Sequence, residues 1–205
     1  MLLEILNFLQ KELNTFIQQR LGQPNAQMLI AGNYSNIQDL PGNQGLVVMS
    51  LISLEKEAML HVPEHFVRNE SIHKVMYKQP PVWLNLSCLF IFNSKLLSDY
   101  EGINLLEYVI QYFQSSPVIT KLSALKPDLF PAGLDQIRSE MMVLNIEQSN
   151  YLWGQMGGKY QPSVMYRFRS IPISHEQNSI GPAISEIQID VLDKEELLKK
   201  LPINQ

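Results

Sequence analysis

The stretch from Pro80 to Phe113 constrains the fold more than any other part of the chain. Its first half, Pro81-Val82-Trp83-Leu84-Asn85-Leu86-Ser87-Cys88-Leu89-Phe90-Ile91-Phe92, places Leu84, Leu86, Cys88, Phe90 and Phe92 on one face at period two. Asn85 and Ser87 share the other face with Leu89 and Ile91, so the spacing predicts a largely apolar strand. After a short polar break, Ile103, Leu106, Val109, Ile110 and Phe113 recur at three- and four-residue intervals, the period of a helix. Ser98 followed by Glu101 supplies a capping-box start for it. A mostly apolar strand running into an amphipathic helix forms the core of an α+β domain, and the periodicities alone go no further.

The rest of the chain extends that pattern. Residues 2–20 read as a helix with Leu2, Ile5, Leu6, Leu9, Leu13, Phe16 and Ile17 in one stripe; Glu4, Lys11, Glu12, Gln18 and Arg20 lie mostly off it, and Gly22 and Pro24 end it. Gln27 to Ala31 and Leu46 to Leu54 read as strands, the second apolar at nearly every position and therefore central. Residues 55–79 carry charges of both signs without period and exceed an ordinary connection, so they read as a functional loop, a flap or a pair of short edge strands. Val118 to Thr120, Gln136 to Leu144 and Ser163 to Ile173 are further strands, and Glu147 to Trp153 a short helix. Ile137, Met141 and Val143 share one side of the second of these strands. In the last, Val164, Tyr166 and Phe168 oppose Arg167 and Arg169, a pair that either is solvated or meets an acidic partner. Residues 175–183 read as a linker, and beyond it Ile187, Ile189 and Val191 alternate with Glu186, Gln188 and Asp190 as a half-buried strand set apart from the domain. A short charged helix over 194–201 follows.

The chemistry-bearing residues are few. His61-Val62-Pro63-Glu64-His65 imitates a zinc-hydrolase motif, in which one helix turn places two imidazoles on the metal and a glutamate acts as base. Pro63 lacks the N–H such a helix needs and pushes Val62 towards extended geometry, so solvated loop histidines are the favoured reading. Gly154, Gly157 and Gly158 form no phosphate cradle, because no Gly-Lys-Ser/Thr follows and no strand leads into them. The single Cys88 excludes an intramolecular disulfide and reads as a small buried hydrophobe. A net charge of −4 over 205 residues argues against nucleic-acid binding, which needs a basic footprint. The first residues, Met1-Leu2-Leu3-Glu4-Ile5, lack a basic region and a cleavage site, so no export signal is expected. No run approaches a membrane span, and the expectation is a protein made and kept soluble in the cytoplasm unless it leaves by another route.

Four passages together resemble one family: Pro80 to Leu86; Tyr112-Phe113-Gln114-Ser115-Ser116-Pro117-Val118; Leu152-Trp153-Gly154 running to Gly157-Gly158-Lys159-Tyr160; and Pro162-Ser163-Val164-Met165-Tyr166-Arg167. Their order, behind an amphipathic first helix, is similar to the cap or tail-terminator proteins of extracellular contractile injection systems. These are headless phage-tail-like particles, the antifeeding prophage among them. The similarity runs from residue 1 to about 174. It implies a tail-terminator-like α+β domain over 1–174 with a mixed, mainly antiparallel sheet and packed helices, then the linker at 175–183 and a C-terminal arm over 184–205. It further implies a structural role: a six-fold ring on the distal end of inner tube and sheath that stops their growth. Its partners would be copies of itself, sheath and tube, with assembly in the cytoplasm on a particle that is then released. No cofactor or catalytic residue comes with the family. Longer members carry a domain after the shared one, whose role does not transfer here. The alternatives are a connector ring of another assembly, or a zinc hydrolase using His61, Glu64 and His65. The detached segment with Ile184, Ile187, Ile189 and Val191 suits β-augmentation of a neighbour or a fold back onto its own sheet. With Arg167 and Arg169 it makes up the candidate interface.

Overall fold

A computed structural model of the chain describes residues 1–34, 46–57, 66–69, 74–78, 81–93, 95–157, 159–173 and 178–182. Two compact units divide it: Met1–His61 with Pro81–Ser174, and Val62–Pro80 with His175–Gln205. In the first unit a sheet of six strands carries the core. Its elements are α1 (Leu2–Leu21), β1 (Leu29–Ala31) and β2 (Val47–Lys56), then β5 (Val82–Phe92), α2 (Asp99–Ser115), β6 (Val118–Thr120), β7 (Gln136–Met142), α3 (Ile146–Gln155) and β8 (Ser163–Ile173). The order across the sheet is β1-β2-β5-β8-β7-β6. Only β1–β2 is parallel; the other four pairings are antiparallel, as a mixed, mainly antiparallel α+β fold requires. The second unit contains β3 (Phe66–Asn69), β4 (Lys74–Lys78) and β9 (Asn178–Pro182), ordered β3-β4-β9 and antiparallel throughout. Residues 66–69 and 74–78 thus take the paired-strand option of the irregular region. Strand β9 lies in residues read as a linker. Its main chain pairs with β4, and such pairing needs no alternation of side chains for sequence reading to detect.

Strand β5 sits at the centre, and its two faces define two cores. On the first face Leu86, Cys88, Phe90 and Phe92 join Val47, Met49, Tyr166, Phe168, Ile171 and Ile137 beneath α1 and α2. Phe113 stacks among them, 4.5 Å from the Tyr166 ring and 5.4 Å from Phe168. On the second face Val48, Leu89, Ile91 and Met165 pack against Ile30, Tyr34 and Trp153, the one buried residue of α3. Each fully buried large side chain contributes about 1.5–3 kcal/mol, so the two faces together supply most of the drive to fold. Register shifts adjust the alternation. An extra residue in β8 between Phe168 and Ile171 keeps both on the first face although they are three apart in sequence.

Helix α1 buries Ile5, Phe8, Leu9, Leu13 and Ile17, and with them Glu12 and Asn14, two residues outside the apolar stripe. It ends at Gly22, whose φ of 66° closes the last turn through a bond to Gln18 O. Helix α2 starts as its sequence predicts: Ser98 N–H donates to Glu101 Oε2 at 3.0 Å, and the Ser98 hydroxyl bonds the same carboxyl. Those bonds hold the Glu101 carboxyl below its usual range. A second capping box, Asn145 with Gln148, starts α3 one residue earlier than the apolar pattern indicates. Of the three residues expected on one side of this strand, only Ile137 is buried; Met141 is exposed, as is Val143, which lies beyond the end of β7.

Gly102 marks the closest approach of α2 to the sheet, where a Cβ would run into the Phe92 ring. Alanine gains about 1 kcal/mol over glycine in a helix interior, but overpacking costs about 1–3 kcal/mol. Phe92 is buried and cannot swing away, so the steric term wins. Gly102→Ala is expected to lower stability, and a rise in its urea midpoint would show that the ring can yield.

Candidate assembly interface

The described residues hold no catalytic constellation. No group of three or more His, Cys, Asp or Glu among them could hold a metal ion, and His61, Glu64 and His65 lie outside the described residues. Cys88 is buried in the middle of β5, and burial pushes its thiol up to about 12 from an ordinary 9.0, far from a nucleophile. Burial, then the charge and the hydrogen bond of Glu12, push the Tyr112 phenol upward, and burial does the same to Tyr166. All three groups are neutral when folded and ionise at lower pH in the unfolded chain. Their contribution to stability is therefore constant below about pH 9 and declines as pH rises above it. The loss is about 1.4 kcal/mol per pH unit for each group ionised only when unfolded. Urea midpoints at pH 8 and 10.5 measure this; equal midpoints would contradict it.

Arg167 and Arg169 project from β8 on the second face of the sheet. Arg169 donates to Glu57 Oε1 at 3.1 Å and lies 3.5 Å from Glu140; Arg167 lies 3.6 Å from Glu55. Glu55 stands on β2, two strands away. The arginines reach this side across β5 where Ser87 and Asn85, not bulky apolar residues, occupy the register positions between. The acidic groups that these arginines meet are therefore their own neighbours. The partly exposed Arg167–Glu55 pair is worth little by itself, whereas Glu57 is buried and takes a charge-assisted bond from Arg169.

Part of each edge of the six-stranded sheet is occupied, at Leu29 by a side chain and at Thr120 by a turn. Asn14 of α1 stands where a seventh strand would lie beside β1. Its Oδ1 accepts Met28 N–H and Leu29 N–H at 2.9 and 2.7 Å, and its Nδ2 donates to Leu29 O at 2.7 Å. At the other edge β6 is three residues long, and a tight turn takes the main-chain groups of Thr120. Thr120 N–H donates to Ser123 Oγ at 2.9 Å, while Thr120 O accepts Ser123 and Ala124 N–H. Short, occupied edges resist pairing with other chains.

One buried carboxylate fixes that turn to the helices. Glu12, 0% exposed, accepts Leu125 N–H at 2.6 Å, Lys126 N–H at 2.8 Å and the Tyr112 hydroxyl at 3.0 Å. It thereby clamps α1, α2 and the β6–β7 connection together. On this base Leu122 is 99% exposed, and Leu125 and Leu129, three and seven residues further on, are exposed as well. At the other end of α2 Tyr100 is 89% exposed, with Leu96 and Ile103 also exposed. Ile103 belongs to the stripe expected to face the core, yet it is exposed near the start of α2; the other residues of the two clusters are not among those that sequence reading selects. The one available signal is an apolar residue inside a Thr-Lys-Leu-Ser turn, where solvent-facing chemistry does not require it. The segment carrying Ile184, Ile187, Ile189 and Val191 lies outside the described residues.

Comparison with known proteins gives this geometry a context. The fold matches a cryo-EM structure of the PVC sheath/tube terminator of an extracellular contractile injection system in its extended state. The TM-score is 0.63 at 10% identity, over 96% of this chain and 67% of that one. It also matches the tube-terminating cap of the anti-feeding prophage, with a TM-score of 0.54 at 15% identity, over 94% of this chain and 64% of that one. The chain thus spans about two thirds of the length of these structures. No curated protein matches its sequence. The model of one family, described as the Pvc16 N-terminal domain, matches residues 4–186, nearly the whole chain. The chain belongs to the Pvc16 N-terminal domain family.

Proposed function

We propose that this chain is a structural cap: copies of it form a closed six-fold ring on the distal end of the inner tube and contractile sheath of a phage-tail-like particle and end their polymerisation. The observation that carries this reading is the agreement in fold, over nearly the whole chain, with two terminators of such particles. A cap must match the growing end on one side and offer no template on the other. A sheet whose edges are occupied by Asn14 and by the Thr120–Ser123 turn fits the second requirement. The role needs no enzyme chemistry, cofactor, nucleic acid or membrane. Assembly takes place in the cytoplasm, and the protein leaves only as part of the particle. The arm with Ile184, Ile187, Ile189 and Val191 joins the sheet of a neighbouring cap or sheath subunit by strand addition.

Two experiments test this reading. Light scattering after size exclusion should give about 141 kDa, six copies of the 23.5 kDa chain, or the protein should be found at one end of isolated particles. A monomer in solution that is also absent from particle ends would sink the proposal. Removing residues 183–205 tests the arm: ring formation or sheath attachment should fail, and if both persist the arm has no such role.

A further inference from the structure

The two exposed apolar clusters at the ends of α2 are opposite in charge. At its start Leu96, Tyr100 and Ile103 are exposed among Asp99, Glu101 and Glu107, with Lys95 at the rim. At its far end Leu122, Leu125 and Leu129 are exposed among Lys121 and Lys126, with Asp128 at the rim. Lys11 of α1 lines the same shallow groove as Lys126 and Leu129, adding to the positive side. Tyr112 and Glu12 pin the second cluster to the last turn of α2, so roughly 20 Å of rigid helix separates the two.

We infer that these clusters are the two halves of a head-to-tail contact between copies of this chain, with the Leu122 turn of one seated on the Tyr100 face of the next. This rests on the ring reading above and names its contact surface. Three features point to a second copy as the occupant. Each cluster supplies the charge that the other lacks, which aligns partners and penalises like-with-like pairing. The clusters are distinct surfaces on one rigid body, the arrangement that makes a heterologous contact and, on closure, a ring. The turn is also ordered before binding by the Glu12 and Ser123 bonds, so docking Leu122 costs little loop entropy.

Cysteine pairs test the geometry. The Leu122→Cys/Tyr100→Cys double variant, treated with a short bismaleimide as purified protein or on particles, should give a ladder of linked copies. Each single variant should remain unlinked, and Cys88 is too buried to contribute. The charge-and-apolar variant Lys121→Glu/Leu122→Glu should weaken ring formation about tenfold or more while its thermal midpoint stays unchanged. Dimers from a single-cysteine variant would overturn the inference in favour of a symmetric contact. A ring of normal mass with no ladder, and no effect of Lys121→Glu/Leu122→Glu, would overturn it while leaving the cap reading intact. Wild-type protein that forms no ring, in solution or on particles, would overturn both.

Discussion

Glu12→Ala is expected to destabilise the protein by roughly 3–5 kcal/mol, the range for leaving several buried hydrogen-bonding groups without their charged partner. The carboxylate accepts the Leu125 and Lys126 N–H groups and the Tyr112 hydroxyl, and alanine leaves all three donors without their acceptor, the Tyr112 hydroxyl in a buried site and the two N–H groups in a partly buried one. At this chain length the loss corresponds to a fall in thermal midpoint of roughly 10 °C or more. Glu12→Gln separates charge from shape. Its oxygen can still serve two of the donors, while its amide sets one N–H against another, so the expected loss is smaller, about 1–2 kcal/mol. Thermal and urea unfolding of both variants measure this. An alanine variant within about 0.5 kcal/mol of wild type would mean that the turn finds other partners.

The second large effect is expected at Asn14. Asn14→Leu keeps the branching at Cγ but is bulkier and removes two acceptances and one donation along the edge, at a cost of about 2–4 kcal/mol. It also uncovers the Leu29 N–H on an edge strand, while Leu29 O keeps the Gln10 amide at 3.3 Å, so the variant should form species larger than the wild-type assembly as concentration rises. Asn14→Asp retains the acceptor and loses the donor, and is expected to fall between the two. Urea denaturation reads the first effect and light scattering over a concentration series the second. Unchanged stability with no added association would show that Asn14 does not guard the edge.

Asn14 and Glu12 also show where sequence reading stops. The strand at 82–92 and the helix at 99–115 are legible because alternation at period two and recurrence at three and four are local patterns. The Ser98–Glu101 box is local too. Glu12 reads as a solvent-facing residue because its partners lie more than a hundred positions away, on a turn whose position only the folded sheet defines. Asn14 is equally polar, and nothing near it in sequence signals that a strand's main chain will settle against it. Arg167 and Arg169 were legible as a shared face but not as paired, since Glu55 and Glu57 reach them only through the register of β2, β5 and β8. The exposed Leu122 and Tyr100 carry no periodic signal, since a surface that waits for a partner follows no rule of burial.

The resemblance built on Pro80–Leu86, Tyr112–Val118, Leu152–Tyr160 and Pro162–Arg167 reaches further than periodicity because it reads four separated passages at once. Those passages map to β5, the end of α2 with β6, the end of α3, and β8. They belong to the central sheet and its helices.

The central claim is that this chain ends the growth of a tube and sheath. The most direct measurement is the length distribution of particles assembled from otherwise complete components with this chain left out. Capping predicts tubes and sheaths of uncontrolled, often excessive length with unfinished ends, restored to a single length when the intact protein is supplied. A length distribution that is unchanged without the chain, with sheath ends as stable as before, would contradict it.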